Sequence, residues 1–193
     1  MRVIAGSARG RRLSVPKGLL VRPTSDKVRE AIFNILGHDF HYKHVLDLFA
    51  GTGAMGIEAL SRGAENAVFV DRGDSAVKII KKNLDICGFA ENAMVIKMDA
   101  ISLLTNKSSV KSLQPRKACF SPFDLIFIDP PYEAGFTDAV MELIDKNEIL
   151  TPNGVIVAET SKRIVLKPVL SNMGEFDKRQ YGDTIVTFYR NKE

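Results

Sequence analysis

The chain has 193 residues, 45% of them hydrophobic and 26% charged, the proportions of an ordinary globular protein with room for one domain and a small appendage. No apolar stretch approaches the roughly 18 residues of a membrane span, arginines at 9, 11 and 12 stand where a signal peptide needs its apolar core, and the two cysteines, Cys87 and Cys119, supply neither a disulfide framework nor a Cys/His zinc site. The formal charge of +4 is uneven: residues 1–30 carry +6 and the rest −2. The expectation is a cytoplasmic, metal-free monomer whose positive charge sits at one end.

Residues 1–23 are basic and punctuated by Gly and Pro. Two apolar pieces, 3–5 and 13–15, flank a Gly/Arg stretch and predict a small hairpin. Thr24, Ser25 and Asp26 are cap candidates for a helix with Val28, Ala31, Ile32, Ile35 and Leu36 as its apolar stripe. Arg22, Lys27 and Arg29 fall off that stripe. His38, His41 and His44 lie in a connecting loop, where solvent or cap roles outweigh metal ligation.

From residue 44 strands and helices alternate. Apolar runs at 45–50, 67–70, 94–98, 125–128 and 155–158 are short and rich in Val, Ile and Phe, as in strands buried on both faces. Helical patterns fall near 54–62, 74–87 and 136–146. The middle one has Asp74 as cap and Ala76, Val77, Ile80, Leu84 and Cys87 on one face. Five strands joined by crossovers give a doubly wound, mostly parallel α/β sheet. Residues 178–181, a Gly182-Asp183 turn and residues 184–190 add a C-terminal antiparallel hairpin. Residues 105–121 are polar and read as a long loop.

The first strand runs into Asp47-Leu48-Phe49-Ala50-Gly51-Thr52-Gly53-Ala54-Met55-Gly56, a G-x-G-x-x-G pattern between strand and helix. Asp71 ends the second strand 20 residues after Gly51, where a ribose-binding carboxylate belongs. An NAD-dependent oxidoreductase would share this spacing, but Asp47 beside the loop repels a pyrophosphate and suits an ammonium or sulfonium. S-adenosylmethionine carries both cations and a ribose. Asp99, ending the third strand, would take the adenine amine, although a plain helix cap explains it nearly as well. Arg72 and Ala100 adjoin these acids and join the candidate set. Phe49 is a cofactor candidate with a core alternative, as Met55 is. The competing reading is a tight turn with solvated strand ends.

The fourth strand ends in Asp129-Pro130-Pro131-Tyr132. Two prolines stiffen the turn and remove backbone donors, leaving carbonyls as acceptors. The Asp129 carboxylate and Pro130 carbonyl would both accept from the exocyclic amine of a base, and Tyr132 would stack on its ring. Such bonds aim the nitrogen lone pair at a methyl donor.

Asp129-Pro130-Pro131-Tyr132 resembles the (D/N)PP(Y/F) motif of amino-methyltransferases acting on adenine N6, cytosine N4 or guanine N2. Residues 6–13 (GSARGRRL), Arg22-Pro23-Thr24, residues 28–34 (VREAIFN), the 46–64 segment and residues 181–184 (YGDT) resemble the RsmD family, bacterial guanine-N2 methyltransferases of small-subunit ribosomal RNA. The 105–121 stretch departs from that pattern as an apparent insertion. The resemblance implies a Rossmann-like class I methyltransferase fold over residues 37–193, with a basic RNA-contacting extension at 1–36. It implies S-adenosyl-L-methionine as methyl donor and 16S rRNA or an assembling small subunit as partner. It also implies the guanine at position 966 of that RNA as the target. Arg9, Arg11, Arg12, Arg22 and Arg29 are the candidate phosphate contacts. A DNA adenine-N6 or cytosine-N4 methyltransferase is the rival within the same chemistry, disfavoured by the lack of room for a DNA target-recognition domain. A non-catalytic RNA-binding protein is the rival outside it.

Overall fold

A computed structural model describes residues 1–16, 26–37, 39–111, 113, 123–130, 136–166 and 170–192. The elements in chain order are α1 (Asp26–Ile35), β1 (His44–Leu48), α2 (Ala54–Arg62), β2 (Asn66–Asp71), α3 (Asp74–Cys87), β3 (Ala93–Lys97), α4 (Ala100–Thr105), α5 (Lys107–Lys111), β4 (Phe123–Ile128), α6 (Phe136–Asn147), β5 (Leu150–Ser161), β6 (Met173–Tyr181) and β7 (Thr184–Asn191). They form a seven-stranded sheet in the order β3-β2-β1-β4-β5-β7-β6. The pairs among β1 to β5 are parallel, and β7 runs antiparallel to both β5 and β6.

Side chains alternate across the sheet and bury two apolar clusters. Val45, Leu125, Phe127, Val155, Val157, Val186 and Phe188 face α1, α2 and α3, while Leu46, Leu48, Ile126, Ile128, Ile156 and Ala158 face α4, α5 and α6. β1 and β4 are neighbours, but the chain leaves them in opposite directions across the sheet. The crevice beyond their carboxyl ends is therefore the topological switch point, where ligands bind in such sheets. Gly56 fixes the seating of α2, because a Cβ there would stand 2.4 Å from the Phe69 ring of β2.

The first 16 residues lie against this body. Val3, Ala8 and Leu13 join the same cluster as Ile57 and Leu60 of α2. Val3 and Leu13 donate backbone bonds to Arg11 and Met1 carbonyls at 3.0 and 3.2 Å, and Arg2 and Arg12 form an antiparallel bridge. The predicted hairpin is present in this short form.

Four expectations change. The buried face of α1 is Val28, Arg29, Ile32 and Phe33, so Arg29 and Phe33 replace Ala31 and Ile35. The predicted 105–121 loop includes α5, whose Val110 is buried together with Leu113. α4, a six-residue helix, was not foreseen. Both β5 and β6 are longer than predicted, β6 starting at Met173 because charged side chains and a bulge between Glu175 and Asp177 disguise an edge strand.

Candidate active site

The turn after β1 is built on left-handed backbone. Phe49, Gly51 and Gly53 have φ of 65°, 55° and 77°, a conformation costly for Phe49 and natural for glycine. The Phe49 ring meets Phe136 edge-on at 5.5 Å, which links this turn to the start of α6. Phe49 therefore has the core contact that was one of its two readings.

Asp71 clasps two loops. Its Oδ2 accepts from the Gly51 N–H at 2.9 Å and its Oδ1 from the Gly73 N–H at 2.8 Å. Asp47 lies deeper than expected: it is 3% exposed rather than open at the strand mouth, and its Oδ2 accepts from the Gly56 N–H at 3.0 Å. Burial pushes its carboxyl up to about 7, helped by the nearby Asp71 charge and opposed by the Gly56 bond. Asp99 caps α4, accepting from the Ser102 N–H at 2.9 Å, so its cap reading holds in this structure. Ala100 behind it is buried, and Arg72 is exposed beside Gly73.

Asp129 and Pro130 follow β4 directly, with Asp129 half-buried and Pro130 buried. Because Ile128 is level with Leu48 of β1 and Ala158 of β5, Asp129 and Pro130 leave β4 beside the start of the glycine turn. The strand order thus sets Asp99, Asp71, Asp47 and Asp129 in a row along one sheet edge. Pro131 and Tyr132 lie outside the described residues, as does Arg22.

Arg9, Arg11 and Arg12 are exposed, and Arg11 also donates to the Ile86 carbonyl of α3. Arg2, absent from the predicted contacts, faces Arg12 across the bridge and lines two neighbouring surface cavities of about 350 and 500 Å³. Arg29 is corrected. It is fully buried, 3.0 Å from Asp26 and 3.7 Å from Glu58, and donates to the Arg2 carbonyl, so it holds the fold and does not face a phosphate.

Three residues that bind the basic segment to the site escaped the sequence reading. Glu58, fully buried on α2, accepts from the Ile4 and Ala5 N–H groups at 2.8 and 3.0 Å and pairs with Arg62 at 2.9 Å. Ser61 accepts from the Ala8 N–H and donates to the Ala5 carbonyl. Asn83 on α3 accepts from the Ser14 N–H at 2.7 Å and donates to the Ser14 and Thr52 carbonyls, joining the opening segment to the glycine turn. The signal was available at Asn83: it falls three residues after Ile80 and seven after Ala76, inside the apolar stripe.

This strand order, a glycine turn on left-handed backbone at the switch point and an Asp-Pro pair directly after β4 define a Rossmann-like methyltransferase. The family model described as Conserved hypothetical protein 95 matches residues 1–190, and the chain belongs to that family, the RsmD family. YlbH of Bacillus subtilis strain 168, provisionally named an rRNA methyltransferase, is 39% identical over 192 residues and the match covers 100% of both chains. Ribosomal RNA small subunit methyltransferase D of Escherichia coli K12 is 32% identical over 190 residues, covering 98% of this chain and 89% of that one. The solved structure of Escherichia coli yhhF, provisionally named a methyltransferase, superposes with a TM-score of 0.83 at 33% identity, covering 100% of this chain and 98% of the other.

Proposed function

We propose that this protein methylates the exocyclic N2 amine of a guanine in small-subunit ribosomal RNA. The observation that carries the reading is the row of carboxylates on adjacent strand ends, with Asp129 and Pro130 leaving β4 next to the glycine turn. The donor set fits S-adenosylmethionine: a ligand with an ammonium, a sulfonium and a ribose diol suits carboxylates that would repel a pyrophosphate. Bound there, that cofactor supplies an electrophilic methyl group on sulfur.

The protein's own residues do the rest. The left-handed backbone at Gly51 and Gly53 lets a ligand approach the main chain closely. Asp71 stands where ribose hydroxyls would bind, Asp47 supplies negative charge beneath the loop, and Asp99 and Ala100 border the adenine end. Asp129 and the Pro130 carbonyl accept from the two N–H groups of the target amine and orient its lone pair, and Tyr132 stacks on the base. Positioning and electrostatics supply the catalysis. A base inside folded RNA has to leave its stack to reach Asp129.

Residues 1–36 form the RNA-contacting extension and 37–193 the methyltransferase domain. That boundary marks a division of work, since the two share one apolar cluster. Arg9, Arg11, Arg12 and, beyond the described residues, Arg22 neutralise phosphates, with Arg2 added from its place opposite Arg12. The partner is 16S rRNA or an assembling subunit and the enzyme acts as a monomer.

The test is methyl transfer from labelled S-adenosylmethionine to small subunits that lack the modification, with the product nucleoside identified by mass spectrometry. N2-methylguanosine is expected. N6-methyladenosine or N4-methylcytidine as product would overturn the base assignment, and no incorporation would overturn the activity.

A further inference from the structure

β5 outruns its neighbour. Its ladder with β4 ends at Ala158, level with Ile128, whereas its ladder with β7 continues through Glu159, Thr160 and Ser161. One step past that last pair, the two strand directions carried on bring Glu159 of β5 level with Asp129 after β4. Both continue the alternation of one face, Leu125 and Phe127 on β4 and Val155 and Val157 on β5, all in the cluster under α1 to α3. In parallel strands such neighbours lie about 5 Å apart. Glu159 is only 7% exposed and is pinned by pairing with Val186 of β7, itself fully buried. A carboxylate held on a rigid strand and largely screened from water discriminates strongly between a donor and an acceptor placed before it.

The chemistry of the bases gives that carboxylate a use. Guanine carries an N–H donor at N1 beside its N2 amine, whereas adenine and cytosine carry a bare ring nitrogen, an acceptor, beside theirs. An acid next to Asp129 welcomes the guanine edge and repels the other two. Thr160 points to the opposite face of the sheet, with Ile156 and Ala158, and is not a candidate.

We propose that Glu159 is a specificity-determining residue that accepts from the guanine N1–H while Asp129 holds the amine. The inference rests on the guanine-N2 reading above. It is tested with RNA carrying 2-aminopurine at the methylated position, a base that keeps the amine but has an acceptor at N1. The wild-type protein prefers guanine by between about tenfold and a hundredfold in kcat/KM, the range for a buried polar group left facing the wrong partner. Glu159→Gln, whose amide donates to a bare N1, brings that ratio at least tenfold closer to unity. A ratio unchanged in Glu159→Gln overturns the role of Glu159 and leaves the guanine reading standing.

Equal wild-type rates on guanine and 2-aminopurine overturn it without any variant, which matters should Glu159→Gln fail to fold. Thermal melting and S-adenosylhomocysteine calorimetry report on that folding, and Glu159→Ala is the second variant, expected to lose discrimination in the same way. Wild-type protein that modifies adenine or cytosine and no guanine removes the functional reading itself, a result distinct from the others.

Discussion

Asp47 shows how much a single buried carboxylate decides. Folding carries it from an ordinary value of 3.8 to about 7, mainly through burial. The folded protein therefore holds a proton that the unfolded chain releases between those two values. The contribution of this group to stability is complete below pH 3.8 and is lost as the pH rises through about 7. A cationic ligand favours the charged form, so binding of S-adenosylmethionine expels a proton below pH 7 and tightens as the pH rises from 6 to 8. Calorimetry in buffers of different ionisation enthalpy measures this directly. Asp47→Asn should remove both the proton release and the pH dependence; a wild-type affinity that is flat across that range would contradict the assignment.

At the same scale, Glu58 and Arg29 are a buried pair whose members depend on each other. Glu58→Ala takes one of two carboxylate partners from the buried Arg29 guanidinium, leaving the half-buried Asp26 at 3.0 Å, and removes the acceptor of two backbone N–H groups. Breaking a buried pair in this way costs about 3–5 kcal/mol, and urea denaturation will measure it. A loss below about 1 kcal/mol would show that the pairing is dispensable.

Among elements, the contact between the opening segment and the body is the one that couples sites. Asn83 bonds Ser14 on one side and Thr52 on the other. Asn83→Ala leaves those backbone groups unsatisfied, at a cost of about 1–3 kcal/mol. Hydrogen exchange should quicken at both residues 3–14 and the 51–53 turn. Faster exchange at only one of them would show that the two are not joined through this side chain.

The elements also show what a sequence can disclose. α3 spans 74–87 as its periodicity predicts, because the helix ends at a left-handed Gly88 and buries a clear stripe. The β1 turn was readable because left-handed backbone there favours glycine. The face of α1 was misread by about one position because its buried set includes a charged residue, Arg29, which Asp26, the Arg2 carbonyl and Glu58 on α2 hold together. α4 and α5 are too short for periodicity to register. Asp99 was legible as an acid ending a strand, but its use as a cap depends on a backbone N–H that sequence does not place. The depth of Asp47 depends on the packing of α2 and was equally hidden.

For the whole molecule, charge and chemistry are separated. The body sets its acids along the strand ends, and the opening hairpin carries exposed arginines that, in the proposed function, attract the phosphates those acids oppose. Changing Arg9, Arg11 and Arg12 together to Gln should weaken RNA binding and lower the slope of log affinity against log salt by about two to three, while cofactor affinity stays constant. Arg29 does not contribute to that slope, because it is enclosed. An equal fall in cofactor affinity would contradict the separation.

In the proposed function Asp129 and Pro130 direct methyl transfer to a guanine amine of the small-subunit RNA. This is tested most directly by mass-spectrometric mapping of modified nucleosides in that RNA, from cells lacking the gene and from the same cells carrying wild-type protein or Asp129→Ala. One N2-methylguanosine should disappear with the gene, return with the wild-type protein and stay absent with Asp129→Ala. An unchanged map in cells lacking the gene, or full restoration by Asp129→Ala, would contradict it.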